Sequence, residues 1–171
     1  MRIPDGTDLP LIRDGEMAAA RIGGWLHGKQ FALVFVSPLT RARENSRIAG
    51  YGDVAQVEPD LREWDYGAYE GRTTADVCKE RPDWSLWRDG VPEGETIEQV
   101  ARTGTARDRA RLAGRGDVAL FAHGHILRMI AACWLNFPPS AGASLALTTA
   151  SVSRLGYERE NRVIALSNFA P

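Results

Sequence analysis

Two short runs, Phe31-Ala-Leu-Val-Phe-Val36 and Val118-Ala-Leu-Phe-Ala122, are apolar at every position. A strand with one wet face alternates apolar and polar residues, whereas a strand that is apolar throughout is covered on both faces, as parallel strands are when helices flank them. The segments around these runs carry the matching helical signals. From Asp14 to Gly28, residues Met17, Ala18, Ile22, Trp25 and Leu26 recur at helical spacing after a polar start, and Gly28 closes the run. Pro38 suits the entry of a second helix, Leu39 to Ala49. Thr74 to Glu80 and Ile126 to Leu135 predict two more, and Glu95 to Leu112 another, with an acidic start and an Arg-rich end that match the helix dipole. Val54 to Val57 predicts a short strand. Ser151 to Tyr157 and Arg162 to Leu166, separated by Glu158-Arg-Glu-Asn161, predict an antiparallel hairpin. Strands alternating with helices and ending in a hairpin give an α/β three-layer sandwich, with a mixed, mainly parallel sheet and helices on both faces.

Composition narrows the partners. A chain of 171 residues is about one domain long, and no linker or repeat divides it, so residues 1–171 read as a single domain. With 21 Lys+Arg against 22 Asp+Glu, the chain has no bulk attraction for nucleic acid or an anionic membrane. The longest apolar stretch, Met129 to Leu135, is far short of the ~20 residues that span a bilayer. The expectation is a soluble, cytoplasmic protein with neither a nucleic-acid nor a membrane partner; nothing in the sequence sets its oligomeric state. Cys78 and Cys133 have no metal-like spacing and read as reduced structural residues.

Both apolar runs end in polar residues that a purely structural sheet does not need: Ser37-Pro-Leu-Thr-Arg41-Ala after the first, and His123-Gly124-His125 after the second. Ligands of open α/β sheets bind outside the carboxyl ends of the strands, where helix N-termini point free N–H groups outward. A guanidinium, an imidazole and amide donors at that place suit a phosphate. Arg41 can grip two oxygens, His123 can donate a hydrogen bond or a proton, and Gly124 lets the backbone approach closely. A third segment, Leu61-Arg-Glu63-Trp-Asp65-Tyr-Gly-Ala-Tyr-Glu70-Gly71, sets three carboxylates among aromatic rings. Burial against such rings raises a carboxyl pKa and keeps a general acid protonated, and Glu63 is the candidate. Each of these residues also has a plainer reading: a solvated helix arginine, a hydrogen-bonded strand-end histidine, a surface acid.

Taken in order, these motifs resemble the histidine phosphatase superfamily, also called the phosphoglycerate mutase-like family. The matching segments are Ser37 to Ala42, Leu61 to Gly71, Pro92-Glu-Gly-Glu95-Thr and Phe121-Ala-His123-Gly-His125-Ile-Leu-Arg128. The resemblance implies that Arg41 binds the substrate phosphate, that Glu63 is the general acid and base, and that His123 contacts the transferring phosphoryl group. Ser37, His125 and Arg128 are then supporting residues. It implies a small phosphorylated metabolite as partner, with no cofactor and no metal. A metal at His123-x-His125 is the weaker reading, since no carboxylate or cysteine pattern accompanies the pair. The short stretch between Glu63 and His123 favours a phosphatase over a phosphoglycerate mutase, and Tyr66-Gly-Ala-Tyr-Glu-Gly71 resembles the sugar-phosphate phosphatase branch. Trp64, Tyr66, Trp84 and Trp87 are candidate walls of a sugar-sized pocket.

Family members transfer the phosphoryl group through a phosphohistidine whose nucleophile sits in an Arg-His-Gly motif ending the first strand. This sequence holds no such motif. Leu11-Ile-Arg13-Asp14-Gly15-Glu16 looks like it with His replaced by Asp, but the helix pattern from Ala18 to Leu26 leaves no room for the loop that follows the nucleophile, so Asp14 reads as a helix-start residue. His27, at the far end of that helix, reads as solvated. The expectation is a domain shortened at its N-terminus relative to the family, lacking a strand that lies in the middle of the family's sheet. Opening the sheet there leaves backbone groups unpaired on both neighbours. The expected activity is impaired phosphomonoester hydrolysis; the alternative is a non-catalytic module that holds a phosphorylated ligand or a partner protein.

Overall fold

A computed structural model of the chain describes residues 8–103 and 116–171. Helix α1 (Arg13–Trp25) leads into β1 (Leu33–Val36), α2 (Thr40–Ile48) and β2 (Ala55–Val57). Three short helices follow: α3 (Thr74–Glu80), α4 (Leu86–Asp89) and α5 (Ile97–Thr103). Then come β3 (Val118–Phe121), α6 (Gly124–Trp134), β4 (Val152–Glu158) and β5 (Asn161–Phe169). The expected helix to Leu112 is present as far as Thr103, and the rest of that prediction lies outside the described residues.

Strands β2, β1 and β3 form a parallel sheet in that order, with Val34 opposite Ala55 on one side and Ala119 on the other. Period-2 alternation sends Leu33, Phe35, Val118 and Leu120 into the larger cluster, with Leu61, Trp64, Val77, Met129 and Ile130. Phe121 faces a smaller cluster built on Ile22, Leu26 and Ala49. Helices thus cover both faces, as continuous apolar strands require. On the second face α1 and α2 lie very close: a Cβ on Gly23 would stand 2.9 Å from the Ala49 Cα.

The parallel and antiparallel strands form two sheets rather than one. β4 and β5 pair only with each other, through a two-residue turn in which Arg159 has φ 54°. Among the described residues no strand pairs with the outer edge of β3. Side chains hold the two sheets side by side: Leu155 of β4 joins the cluster that takes Val118 and Leu120, and Val152 joins the one that takes Phe121. Trp134 Nε1 of α6 also donates to the carbonyls of Gly156 and Val163. β3 is half-buried at all four positions, whereas the last three residues of β1 are buried. Among the described residues no helix is long and apolar enough to cross a membrane.

The segment before α1 docks on α2. Asp8 accepts hydrogen bonds from the Thr40 amide (2.5 Å) and hydroxyl (2.7 Å), and Glu44 accepts from the Leu11 amide (2.7 Å). Leu39, at the N-cap of α2, makes no side-chain cap, so Asp8 supplies that acceptor from outside the helix. Asp14 lies in the first turn of α1, where its charge complements the helix dipole, while Ile12 occupies the N-cap.

Candidate active site

The carboxyl ends of β1 and β3 bring Ser37 and His123 together, because Val36 pairs with Phe121 in register. His123 Nε2 lies 2.7 Å from Ser37 Oγ, and Arg41 Nε lies 3.2 Å from His123 Nδ1. A guanidinium can only donate, so Nδ1 accepts and Nε2 carries the proton that it gives to Ser37. Burial first, then the Arg41 charge, push the imidazole pKa down to about 3, so the ring is neutral. Both ring nitrogens are therefore engaged.

Glu63 is buried. Its Oε1 accepts from the amides of Trp64 and Ile126 (both 3.2 Å), and its Oε2 accepts from the His125 amide at 3.3 Å. Two of those donors belong to the first turn of α6, whose N–H groups have no partner within the helix. Desolvation raises the carboxyl pKa above its ordinary value, and the three amides oppose that shift without cancelling it. This combination suits an acid that gives and takes a proton near neutral pH. His125 stands behind it, with Nδ1 2.6 Å from the Tyr66 hydroxyl and 3.9 Å from Glu63 Oε2. Burial, followed by the Arg128 charge, lowers the His125 pKa to about 4, so the His125–Glu63 approach is not an ion pair near neutrality. Burial also raises the Tyr66 pKa, with the Glu63 charge adding to it, and the phenol stays protonated.

Arg41, Arg62, Glu63, Trp64 and Tyr66 share the wall of a cavity of about 430 Å³ with Leu39, Pro59, Asp60, Asp65, Glu70, Glu95 and Val100. Interlocked loops form its back. Gly67 has φ 49°, and a Cβ there would lie 2.3 Å from the Pro92 carbonyl oxygen; one on Gly94 would lie 2.4 Å from that of Asp65. The Trp64 indole donates to the Glu95 carbonyl (2.8 Å), and Glu95 Oε2 accepts from the Asp65 amide (2.9 Å). Gly67→Ala is expected to cost about 1–3 kcal/mol by overpacking, since the obstacle is backbone. A thermal midpoint lowered by about 2–4 °C per kcal/mol checks it.

Some expectations need correction. Of the four aromatics proposed as walls, only Trp64 and Tyr66 line the cavity. Trp84 is a core residue whose indole donates to the Gly90 carbonyl, and Trp87 packs against Trp64 and His125 beneath the Arg128 guanidinium. Gly124 keeps its expected role, since a Cβ built there meets no described atom within 4 Å and the space beside it is open to a ligand. Arg128 supports the site indirectly, donating to the Gly142 and Ala143 carbonyls. His27 is exposed after α1. Three contributors were missed: Arg62, Glu95 and the Tyr66 hydroxyl. The first two lay inside the motifs already noted, but an arginine beside a glutamate and an acid before a helix look like ordinary surface residues. Among the described residues, no group of three or more His, Cys, Asp or Glu converges as metal ligands would.

Residues 1–170 match the family model of the histidine phosphatase superfamily, branch 1. The chain belongs to that superfamily. It is 34% identical to an acid phosphatase of Mycobacterium tuberculosis (strain ATCC 25618 / H37Rv) over 167 residues, covering 94% of this chain and 81% of that protein. It is 35% identical to the sedoheptulose 1,7-bisphosphatase of Saccharomyces cerevisiae (strain ATCC 204508 / S288c) over 162 residues, covering 76% of this chain and 60% of the relative. Among solved structures, the product of open reading frame Rv3214 from Mycobacterium tuberculosis superposes with a TM-score of 0.91 at 32% identity, over 99% of this chain and 89% of the other. Of the expected site residues, Arg41 and Glu63 line the cavity, whereas Ser37, His123, Gly124 and His125 are not among its lining residues; His123 reaches the wall through its contact with Arg41, and His125 and the α6 amides through Glu63.

Proposed function

We propose that this chain, as a single domain, binds small phosphorylated metabolites of the sugar-phosphate kind in the cavity lined by Arg41 at the start of α2, the 59–70 segment and Glu95. Arg41 takes the phosphate, Glu63 serves as general acid and base, and His123 faces the phosphoryl group, with Ser37, His125 and the Gly124 turn in support. The carrying observation is the Arg41–His123–Ser37 chain of contacts beside a buried Glu63 held by the amides of α6. Phosphomonoester hydrolysis through a phosphohistidine is the mechanism that the family resemblance implies, and we propose that this chain, with no histidine poised as nucleophile, performs it slowly. All three of its histidines support that reading: His27 is exposed after α1, His123 is bonded through both nitrogens, and His125 is bonded to Tyr66. The same engagement favours a second reading, a module that holds a phosphorylated ligand without turning it over.

Calorimetric titration with fructose 6-phosphate tests the assignment. Binding is expected, and Arg41→Ala should weaken it by about tenfold or more, as loss of a charge-assisted contact implies. Equal affinity in both proteins overturns Arg41 as the phosphate residue. Inorganic phosphate released in the same mixture separates slow hydrolysis from pure binding.

A further inference from the structure

The cavity wall carries a second guanidinium that the reaction does not use. Arg62 sits between the 3₁₀ turn Pro59–Leu61 and Glu63, its side chain is exposed, and it lines the same cavity as Arg41. Its amide donates to the Pro59 carbonyl, yet its guanidinium makes no hydrogen bond, ion pair or ring contact with any described residue. Several neighbouring carboxylates, by contrast, are turned onto backbone amides. Glu95 accepts from Asp65, Asp65 from Gly67, Glu70 from Tyr66, and Glu63 from three donors. Their hydrogen bonds go to backbone N–H groups rather than to Arg62, whose guanidinium remains a cation on the cavity wall.

Placement gives the two arginines different tasks. Arg41 is half-buried and tied to His123, whereas Arg62 lines the same cavity with its side chain exposed. A guanidinium is a planar fork suited to two oxygens of a phosphate or carboxylate. The cavity volume of about 430 Å³ is in the range that holds small metabolites, and Trp64 and Tyr66 offer rings to the body of such a molecule. We propose that Arg62 is a specificity-determining residue: it binds a second anionic group on a substrate whose reacting phosphate lies on Arg41, so that the site prefers doubly anionic phosphate esters to singly anionic ones. This rests on the proposed function, since it needs the first phosphate at Arg41.

The test is calorimetry on the full chain with matched ligand pairs. Fructose 1,6-bisphosphate is set against fructose 6-phosphate, which asks for a second phosphate. 3-Phosphoglycerate is set against glycerol 3-phosphate, which asks for a carboxylate. The preferred member of at least one pair is expected to bind about tenfold more tightly. Arg62→Ala should abolish that preference while leaving the singly anionic ligand within about twofold, and Arg62→Lys should restore part of it. An unchanged preference in Arg62→Ala, no preference in the parent chain, or equal weakening of both members overturns the proposal. If no ligand binds and Arg41→Ala changes nothing, it is the phosphate-site reading that has failed.

Discussion

Fusing an extended segment that ends in Arg-His-Gly ahead of residue 1 is expected to raise hydrolysis of p-nitrophenyl phosphate by up to about 10⁶, the loss typical when the nucleophile of a cooperating set is removed. The proposed acid Glu63 and the proposed phosphate residue Arg41 share the cavity wall, and among the described residues β3 and β4 each have one edge without a strand partner, in sheets whose side chains join the same two clusters. The added strand is expected to pair its backbone with those edges and to bring its last residues to Arg41 and Glu63. The same fusion ending in Arg-Ala-Gly should raise thermal stability equally and turnover not at all, which separates the chemistry from the fold. Robust turnover by the chain alone, abolished by His123→Ala, would sink the proposal, because an engaged His123 would then be the nucleophile.

Acid should destabilise the protein steeply. His123 and His125 fall from an ordinary value near 6.5 to about 3 and about 4, so between those values and 6.5 the unfolded chain binds more protons than the folded one. Stability therefore falls as the pH drops below about 6.5, by roughly 2 kcal/mol per histidine at pH 5. Glu63 works in the opposite sense. Its raised pKa makes the folded state the better proton acceptor above the ordinary carboxyl value, so acid relieves the cost of burying its charge. The net expectation is a thermal midpoint lowered by about 10 °C between pH 7.5 and pH 5. His123→Gln and His125→Gln should each flatten the slope by about half, and Glu63→Gln should steepen it. A midpoint that does not change over this range in the parent chain would refute the neutral-histidine site.

Much of this was legible in the sequence, for identifiable reasons. Phe31 to Val36 and Val118 to Ala122 announced doubly covered strands because every position is apolar, and Thr74 to Glu80 was bounded correctly because Thr73 and Asp76 form a reciprocal capping box. Arg41, Glu63 and His123 stood out because chemistry-bearing residues followed runs that needed none. What periodicity could not reveal was pairing between distant segments. The division into two sheets depends on which edges meet, and neither β3 nor β4 looks different for lacking a neighbour. The misassignment of Trp84 and Trp87 has the same origin: an aromatic under a loop and one in a cavity wall have the same composition, and only the Gly90 carbonyl and the Arg128 guanidinium distinguish them. Arg62 was passed over because exposure is the ordinary state of an arginine, and its significance comes from the cavity wall that it shares with Arg41.

The interlocking of Gly67 with the 92–94 turn also limits how such a pocket can diversify. Neither loop can gain a side chain at its contact point unless the other moves, so single substitutions there are blocked and neutral drift has no route through them. Variation is pushed to the rest of the wall, where the exposed Arg62 can change without disturbing the back. A library aimed at altering ligand preference would do best to randomise that part of the wall and leave both glycines alone.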